Sequence, residues 1–378
     1  MSSKLRVGII GCGGIGRSHV YGYMHCGRYE LVALADLSAV AMEEYDELFG
    51  DFDGYHPAHY SDAREMLDNE DLDVVSIATW HTGHTTWTIA AAARKPGAIL
   101  CEKPMAVDVG SADEMRVVCQ RNGVKLAIAH QRRFLPSYTA ARELIAEGAI
   151  GDVALVTSLS GAGLPNDASH HMDMYRYVLG DIDCQWVMGQ VERGTDGHER
   201  NTRIEDRAVA VFGFEGGTRA EIISNMTPSY YQGCVIYGSE GMIDLRTRYL
   251  RVLNADTGGR WDHRAPDGRF FKTDVEGFSF EYVEAGAAQA DDLVDWIQGE
   301  AESFRGEATH GYKALEMVHG VYESARLHER VDLPLKTRVN PLDLMVESGH
   351  LPVRYPGRHD IRASTLRGEN ISTDEENA

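Results

Sequence analysis

In the first third of the chain, short apolar runs alternate with segments whose apolar residues recur at the spacing of a helix. The alternation predicts strands at residues 6–10, 31–36, 74–78, 99–101 and 125–129, separated by helices at 14–26, 38–48, 62–68, 84–94 and 111–122. Buried strands that alternate with helices are typical of a doubly wound parallel sheet with helices on both faces. We therefore predict an α/β fold for this region.

The pattern changes after Arg133. β-rich runs at residues 153–159, 184–191, 207–214, 218–224, 233–237 and 249–254 predict a large, mostly antiparallel open sheet, with helices at 290–298 and 312–328. We therefore divide the chain into a parallel-sheet domain (1–131), an α+β domain (132–340) and a C-terminal extension (341–378). The polar, acidic end of the extension, from residue 364 onward, is expected to fray.

Composition and charge narrow the classes of partner. The 378 residues carry a formal net charge of −21, and a field of that sign repels nucleic acid and anionic membrane surfaces. No apolar run approaches the roughly 20 residues that span a bilayer, and the N-terminus reads as a first strand rather than a signal peptide. The six cysteines are too sparse for a disulfide scaffold. We expect a cytoplasmic protein that acts on small molecules.

A glycine-rich loop joins the first predicted strand to the first helix. Its residues are Gly11, Cys12, Gly13, Gly14, Ile15 and Gly16. In a G-x-G-x-x-G pattern the first glycine permits a tight turn, the second lets a pyrophosphate approach the backbone, and the third allows close helix–strand packing. Asp36 ends the second strand, where a carboxylate binds the adenosine ribose and repels a 2′-phosphate.

These residues predict a dinucleotide site that prefers NAD to NADP. The alternative for the loop is a glycine turn that binds no cofactor. The alternative for Asp36 is a cap on the following helix, a role compatible with ribose binding.

Four further motifs give the chain a specific resemblance. They are Thr79-Trp80-His81-Thr82-Gly83-His84, Glu102-Lys103-Pro104, Gln131-Arg132-Arg133-Phe134 and the segment from Asn166 to Asp173. Together with the glycine loop they resemble the Gfo/Idh/MocA family of NAD(P)-dependent sugar and polyol oxidoreductases, over most of residues 5–335. The resemblance implies a Rossmann domain followed by an α+β substrate domain.

The resemblance also implies roles for individual residues. It places Lys103 beside the nicotinamide and the reacting hydroxyl, with His170 sharing the proton transfer. Either Asn166 or Asp167 fills the family's aspartate position and orients the substrate hydroxyl or a catalytic side chain. Asp173 is open to two interpretations, since it either orients His170 or is a structural acid.

The remaining candidate residues surround the same expected pocket. Thr79, His81, His84, Glu102 and Gln131 are assigned to the cofactor by the resemblance, alongside Lys103. Trp80 and Arg132 are assigned to the substrate, together with Lys103, Asn166, Asp167 and His170. Trp80 and His81 replace the family's usual proline and asparagine, and Trp80 is either a stacking platform for a sugar or a packing residue. The four histidines His81, His84, His130 and His170 lack metal-ligand spacing, so no metal is expected.

The function implied is an NAD-dependent oxidoreductase that acts on a secondary hydroxyl of a sugar, a sugar derivative or an inositol. One alternative is a redox glycosidase-like enzyme that keeps its NAD and releases no net NADH. Another is a non-catalytic NAD-sensing regulator on the same fold. The family's habit of associating through the open sheet implies a homodimer or homotetramer. Residues 340–362 lie beyond the family pattern and carry enough apolar residues to pack on another surface, for which a neighbouring subunit is one candidate.

Overall fold

The computed structural model describes residues 4–227, 233–275 and 277–362. The segment expected to fray, from residue 364, lies outside these residues. Over the described part of the chain, no helix has both the length and the apolar composition needed to cross a bilayer.

The N-terminal part is a parallel sheet covered by helices. Its strands are β1 Leu5–Ile10, β2 Tyr29–Ala35, β3 Tyr55–Tyr60, β4 Val74–Ile77, β5 Ala98–Cys101 and β6 Lys125–Ile128. Its helices are α1 Gly14–Cys26, α2 Ala39–Phe49, α3 Ala63–Asn69, α4 His84–Ala92 and α5 Val109–Asn122. The strand order is β3-β2-β1-β4-β5-β6 and every pairing is parallel. The order reverses beside β1, so the loops after β1 and β4 flank the crevice where such sheets bind ligands.

The second part is built on a larger sheet. Its elements in chain order are α6 Pro136–Ala146, β7 Val153–Ser160, α7 Ser169–Val178, β8 Cys184–Glu192, β9 Thr195–Glu199, β10 Thr202–Arg203, β11 Arg207–Phe214, β12 Arg219–Ser224, β13 Gly233–Gly238, β14 Gly241–Arg246, β15 Leu250–Asn254, β16 Asp262–Arg264, α8 Phe280–Gln298, α9 Ala308–Leu327, β17 Val331–Asp332, α10 Pro341–Glu347 and β18 Tyr355–Asp360.

Nine of these strands form one sheet in the order β16-β15-β14-β13-β7-β12-β11-β8-β17. All of its pairings are antiparallel except β7 with β12. Helices α7 and α9 pack on one face, while the other face exposes Met188, Val209, Val211 and Tyr237. The predicted fold class, a Rossmann sheet followed by an α+β part with a mostly antiparallel sheet, is confirmed.

Two sequence-based expectations are corrected by the structure. Strand β3 was not predicted because it is a largely exposed edge strand, interrupted by Pro57, and has no apolar run. Helix α8 begins at Phe280, ten residues before the predicted start at residue 290. Its first half carries the buried acids Glu281 and Glu284, which obscure the apolar pattern.

The C-terminal extension packs on its own chain, and packing of residues 340–362 against a neighbouring subunit stays a prediction. In α10, Leu342 and Met345 are buried, and this helix packs against α9. Strand β18 pairs in parallel with β9, and β9 also pairs with β10, so these three strands form a small second sheet.

Helices α1 and α8 meet at two glycines. A Cβ built on Gly22 would lie 2.6 Å from the backbone oxygen of Gly286, which is far inside van der Waals contact. The backbones therefore approach as closely as they do only because Gly22 has no side chain. This contact joins the first helix of the Rossmann part to a helix of the second part.

We expect Gly22→Ala to destabilise the protein by about 1–3 kcal/mol, the usual cost of overpacking a well-packed site. The matched control is Gly14→Ala in the same helix, because a Cβ there meets no described atom within 4 Å. Urea unfolding measured on both variants checks the expectation. Equal midpoints for Gly22→Ala and Gly14→Ala would contradict it.

Candidate active site

The glycine loop after β1 leaves free space at the start of α1. Gly11 has φ +100°, and a Cβ on it would lie 2.7 Å from the oxygen of Ala78. A Cβ on Gly16 would lie 2.5 Å from the Gly11 oxygen, so this glycine allows close helix–strand packing. Gly13, by contrast, is exposed, and a Cβ on it meets no described atom within 4 Å. The free space over Gly13, beside a helix N-terminus, fits a pyrophosphate.

Asp36 lies against this loop at the carboxyl end of β2. Its Oδ2 accepts a hydrogen bond from the Cys12 backbone N–H at 2.6 Å, and its Oδ1 accepts one from Ser38 N–H at 2.8 Å. The side chain that caps α2 is Ser38, which accepts from the Ala41 N–H. Asp36 therefore holds the glycine loop and the cap residue together, and its negative charge stands where an adenosine ribose is expected.

The loops after β4 and β5 are held together by His84. Its Nδ1 lies 2.8 Å from the backbone oxygen of Pro104, and its Nε2 lies 3.1 Å from that of Thr79. His84 is fully buried, and burial lowers its pKa. Direct contacts of Thr79, His84 and the half-buried Trp80 with a ligand stay predictions.

Glu102 is buried under the same edge of the sheet. Its Oε1 lies 3.0 Å from His19 Nε2, and its Oε2 accepts a hydrogen bond from the Lys103 backbone N–H at 3.0 Å. Burial acts to raise the pKa of Glu102, but the contacts with His19 outweigh it and hold that pKa below its ordinary value. Glu102 thus supports the backbone at Lys103 and carries a negative charge there.

A small cavity lies beside Glu102 and Ile15. Gln131 and Gln289 also line it, and Gln131 Oε1 and Gln289 Nε2 are buried without a partner among the described residues. Buried polar atoms are normally paired. An acceptor and a donor left free here fit a polar group of a bound cofactor.

Lys103 reaches from the Rossmann part to the second part. Its Nζ donates a hydrogen bond to Asn166 Oδ1 at 2.8 Å and lies 3.4 Å from the Asn166 backbone oxygen. Burial lowers the pKa of Lys103, although Glu102 opposes that effect. The lysine is therefore positioned by Asn166 and loses its proton more easily than a solvated lysine.

Asn166 and Asp167 lie on a π-helical turn, Leu164–Ala168, that leads directly into α7. The start of this turn is fixed by Glu205, which accepts hydrogen bonds from Leu164 N–H at 2.7 Å and from the Tyr322 hydroxyl at 2.6 Å. The Asp167 side chain has partners other than Lys103. It accepts from Ser160 Oγ at 3.0 Å and from Arg132 Nη2 at 3.3 Å.

His170 follows in the first turn of α7 and is buried. Its ring packs edge-on against His130 with centroids 5.7 Å apart, and its Nδ1 has no partner among the described residues. Burial, reinforced by the charges of Arg132 and Lys103, lowers the pKa of His170 well below its ordinary value. At neutral pH this imidazole is therefore uncharged and can accept a hydrogen bond.

Two nearby residues have structural partners. Asp173 binds Arg133, whose Nε lies 2.9 and 2.8 Å from its two carboxylate oxygens, so the interpretation of Asp173 as a structural acid is the one that fits. Arg132 donates from Nε to Glu281 on α8 at 2.8 Å and thus bridges the two parts of the chain. A contact between Arg132 and substrate stays a prediction.

Comparisons with known proteins agree with this geometry. A model described as an oxidoreductase family with an NAD-binding Rossmann fold matches residues 5–130, and one described as the GFO/IDH/MocA C-terminal domain matches residues 138–244. The chain belongs to the Gfo/Idh/MocA oxidoreductase family. Its N-terminal part is an NAD-binding Rossmann domain, and its relatives include sugar and inositol dehydrogenases and a sugar reductase.

Particular relatives of this Gfo/Idh/MocA protein are similar over most of its length. D-apiose dehydrogenase from Paraburkholderia graminis is 32% identical over 87% of this chain and 90% of its own. Myo-inositol 2-dehydrogenase from Thermotoga maritima is 26% identical over 63% of this chain and 74% of its own. The solved structure of a levoglucosan dehydrogenase with NADH and levoglucosan superimposes with a TM-score of 0.77 at 22% identity, covering 88% of this chain and 100% of that one. At that identity the likeness concerns the fold.

Sequence reasoning missed a carboxylate that reaches the site from the second part of the chain. Glu199, at the end of β9, is fully buried, and its Oε2 lies 3.2 Å from His81 Nε2. Arg200 and Arg362 lie against its other oxygen. In the sequence, the only nearby indication of this contact was His81, which occupies a position where family members usually have asparagine.

Across residues 4–227, 233–275 and 277–362, no group of three or more His, Cys, Asp or Glu side chains is arranged to hold a metal ion.

We expect Asp36→Asn to shift cofactor preference toward NADP. The amide keeps an acceptor for the glycine loop but removes the charge that repels a 2′-phosphate. The ratio of the dissociation constants for NADP and NAD should fall by about tenfold, a change of roughly 1.4 kcal/mol. Fluorescence titration measures both constants, and Asp68→Asn, a surface acid paired with Arg94, is the control. An unchanged ratio in Asp36→Asn would contradict this role.

Proposed function

We propose that this protein is an NAD-dependent dehydrogenase or reductase acting on a secondary hydroxyl of a sugar, a sugar derivative or an inositol. The observation that carries the proposal is the contact between Lys103 Nζ and Asn166 Oδ1 at 2.8 Å. It brings the lysine at the edge of the NAD-binding sheet to the turn that leads into the helix of His170. The lysine therefore lies where the two parts of the chain meet, beside the turn that precedes His170.

In the proposed mechanism, bound NAD supplies the hydride acceptor, or NADH the donor, for the substrate carbon. Lys103 and His170 hold the substrate hydroxyl and take its proton during oxidation. Lys103 suits this work because burial lowers its pKa, so a neutral amine is accessible. His170 is uncharged at neutral pH, and its ring N–H donates to the oxygen of the same hydroxyl, which leaves the hydroxyl proton directed toward the amine.

The proposal assigns the orienting role to Asn166 rather than to Asp167. The Asn166 side chain accepts the hydrogen bond from Lys103 and so directs the amine toward the pocket. Asp167 is engaged by Arg132 and Ser160, and His171 Nε2 lies 3.5 Å from it. Although burial opposes its ionisation, these partners keep the pKa of Asp167 well below its ordinary value. Asp167 therefore acts on the site through Arg132.

The proposed substrate class rests on the relatives and on the pocket. D-apiose dehydrogenase and myo-inositol 2-dehydrogenase both act, by their names, on polyhydroxylated compounds. The half-buried Trp80, next to His81, offers an aromatic face to such a ring.

We also propose a homodimer or homotetramer formed through the open face of the nine-stranded sheet, because Met188, Val209, Val211 and Tyr237 expose apolar surface there.

One screen tests the function. The purified protein is incubated with NAD and NADP against D-apiose, other monosaccharides, sugar acids, glycosides and inositols, and absorbance at 340 nm reports NADH. Steady NADH formation on one class supports the dehydrogenase and identifies the substrate. Glycoside cleavage without net NADH would instead indicate the redox glycosidase, and tight NAD binding with no turnover would indicate a regulator.

We expect Lys103→Met to lower kcat by at least about 100-fold, the usual contribution of a positioned proton carrier. His170→Gln should lower kcat in the same direction, because it removes the second group on the hydroxyl. NAD affinity should change little in either variant. The control is Lys313→Met, a lysine near the surface that faces Asp183. Retention of full activity by Lys103→Met would overturn the assignment.

The pH profile of oxidation should follow the lysine. The neutral amine accepts the proton, so kcat/KM should rise with pH through the pKa of Lys103 and then level off. Because burial lowers that pKa, the plateau should be reached at a lower pH than a solvated lysine would give. Lys103→Arg should lack this limb, since a guanidinium stays protonated. The same limb in both proteins would show that another group titrates.

A further inference from the structure

The small sheet formed by β9, β10 and β18 holds one residue against the proposed pocket. Strands β9 and β10 form a hairpin in which Glu199 pairs with Thr202, so Arg200 and Asn201 are its two turn residues. Both have positive φ, 45° and 63°, as a tight hairpin of this type requires. A long, charged residue such as Arg200 is uncommon in that conformation, and its use here places a guanidinium directly beside Glu199.

The C-terminal extension fixes this hairpin. Strand β18 runs parallel to β9, and the Ile361 N–H donates to the His198 oxygen at 2.9 Å. At the hairpin turn, Asp360 Oδ2 accepts from the Asn201 N–H at 2.8 Å. Arg362 then places its Nε 3.7 Å from Glu199 Oε1. The extension lies outside the residues that the family models match, yet it determines where Glu199 stands.

The contact between Glu199 and His81 sets the chemistry of the imidazole. Glu199 Oε2 lies 3.2 Å from His81 Nε2, and both side chains are almost completely buried. Burial lowers the pKa of His81 well below its ordinary value, so the ring carries one proton. A carboxylate beside Nε2 stabilises that proton on Nε2. The other nitrogen, Nδ1, is then a hydrogen-bond acceptor.

Both nitrogens of His81 are buried without an aligned hydrogen bond to the described residues. Nε2 has the Glu199 carboxylate 3.2 Å away, so Nδ1 is the nitrogen left for a ligand. A buried acceptor without a donor is costly unless something donates to it. His81 follows β4 in the loop that flanks the ligand crevice of the sheet, and its charged neighbours include Lys103 and Arg200. The donor that fits this position is a hydroxyl of a molecule bound in the crevice.

We propose that Glu199 is a positioning residue that holds His81 with its Nδ1 toward a ligand hydroxyl, and that the C-terminal strand β18 is thereby part of the active site. The hydroxyl belongs either to the substrate, in which case the inference rests on the function proposed above, or to the nicotinamide ribose of NAD. His81 is the residue that touches the ligand. Glu199 acts through His81, and Arg200 and Arg362 compensate the buried charge of Glu199.

The test compares Glu199→Ala and Glu199→Gln with Glu192→Gln, an exposed glutamate on the neighbouring strand β8 that pairs with Arg207. We expect Glu199→Ala to weaken binding of one ligand by about tenfold, the usual effect of disturbing a hydrogen bond at a buried site. Glu199→Gln should have a smaller effect because it keeps an acceptor, and Glu192→Gln should have none. A higher dissociation constant for NAD, measured by fluorescence without turnover, identifies the ribose. A higher KM for substrate alone identifies the substrate.

A second readout reports the imidazole directly. Histidine ¹⁵N spectra of the NAD-free protein, with His81 assigned through His81→Gln, should show the Nε2–H tautomer in the wild type and a loss of that preference in Glu199→Ala. Because this readout and the NAD titration need no turnover, they still decide the inference if every substrate in the screen fails. Failure of the screen would count against the proposed function alone.

The inference is overturned if Glu199→Ala keeps both binding constants within twofold of the wild type and leaves the tautomer unchanged. If Glu199→Ala does not fold, Asp360→Ala and Arg362→Gln replace it, since each loosens the hold of the extension on Glu199. Both should weaken binding of the same ligand in the same direction. Wild-type binding in both of these variants and in Glu199→Gln would equally overturn the inference.

Discussion

Two neighbouring arginines in the turn after β6 hold the two parts of this enzyme together. Arg132 reaches Glu281 on α8 and Asp167 before α7, while Arg133 binds Asp173 within α7. All of these side chains are buried, and breaking such a pair leaves an unpaired charge at a cost of roughly 3–5 kcal/mol. The turn therefore fixes α7 relative to the parallel sheet. Only with α7 in that place do Lys103 and Asn166 meet.

The hydrophobic pattern predicted the fold where burial is uniform. Strands β1 and β4 are buried on both faces, so their apolar runs stand out against the helices between them. The pattern failed where burial and polarity are mixed. Strand β3 is an exposed edge strand, and the first half of α8 buries acids that find partners only in the folded chain. Glu284, for example, accepts hydrogen bonds from the backbone of residues 269–271.

The site was predictable to the extent that its residues are local in sequence. The glycine loop, Lys103 and His170 each lie in a short motif whose spacing carries the chemistry. Whether Asn166 or Asp167 faces the lysine depends on the π-helical turn, in which neighbouring residues point in different directions, and spacing does not reveal this. Glu199 reaches His81 across 118 positions of sequence, from 199 to 81, through a hairpin that the C-terminal strand supports. No local pattern encodes such a contact.

The buried histidines and Lys103 have different roles in the proposed pocket. It lowers the pKa of His81, His84, His130 and His170 alike, so these rings are uncharged at neutral pH and serve as hydrogen-bonding groups. An imidazolium formed on any of them would be a buried cation. Lys103 differs because Glu102 lies against its backbone and supports its positive charge. In the proposed mechanism the lysine can therefore both hold and release the proton that the hydroxyl exchanges, while the neutral histidines fix its direction of transfer.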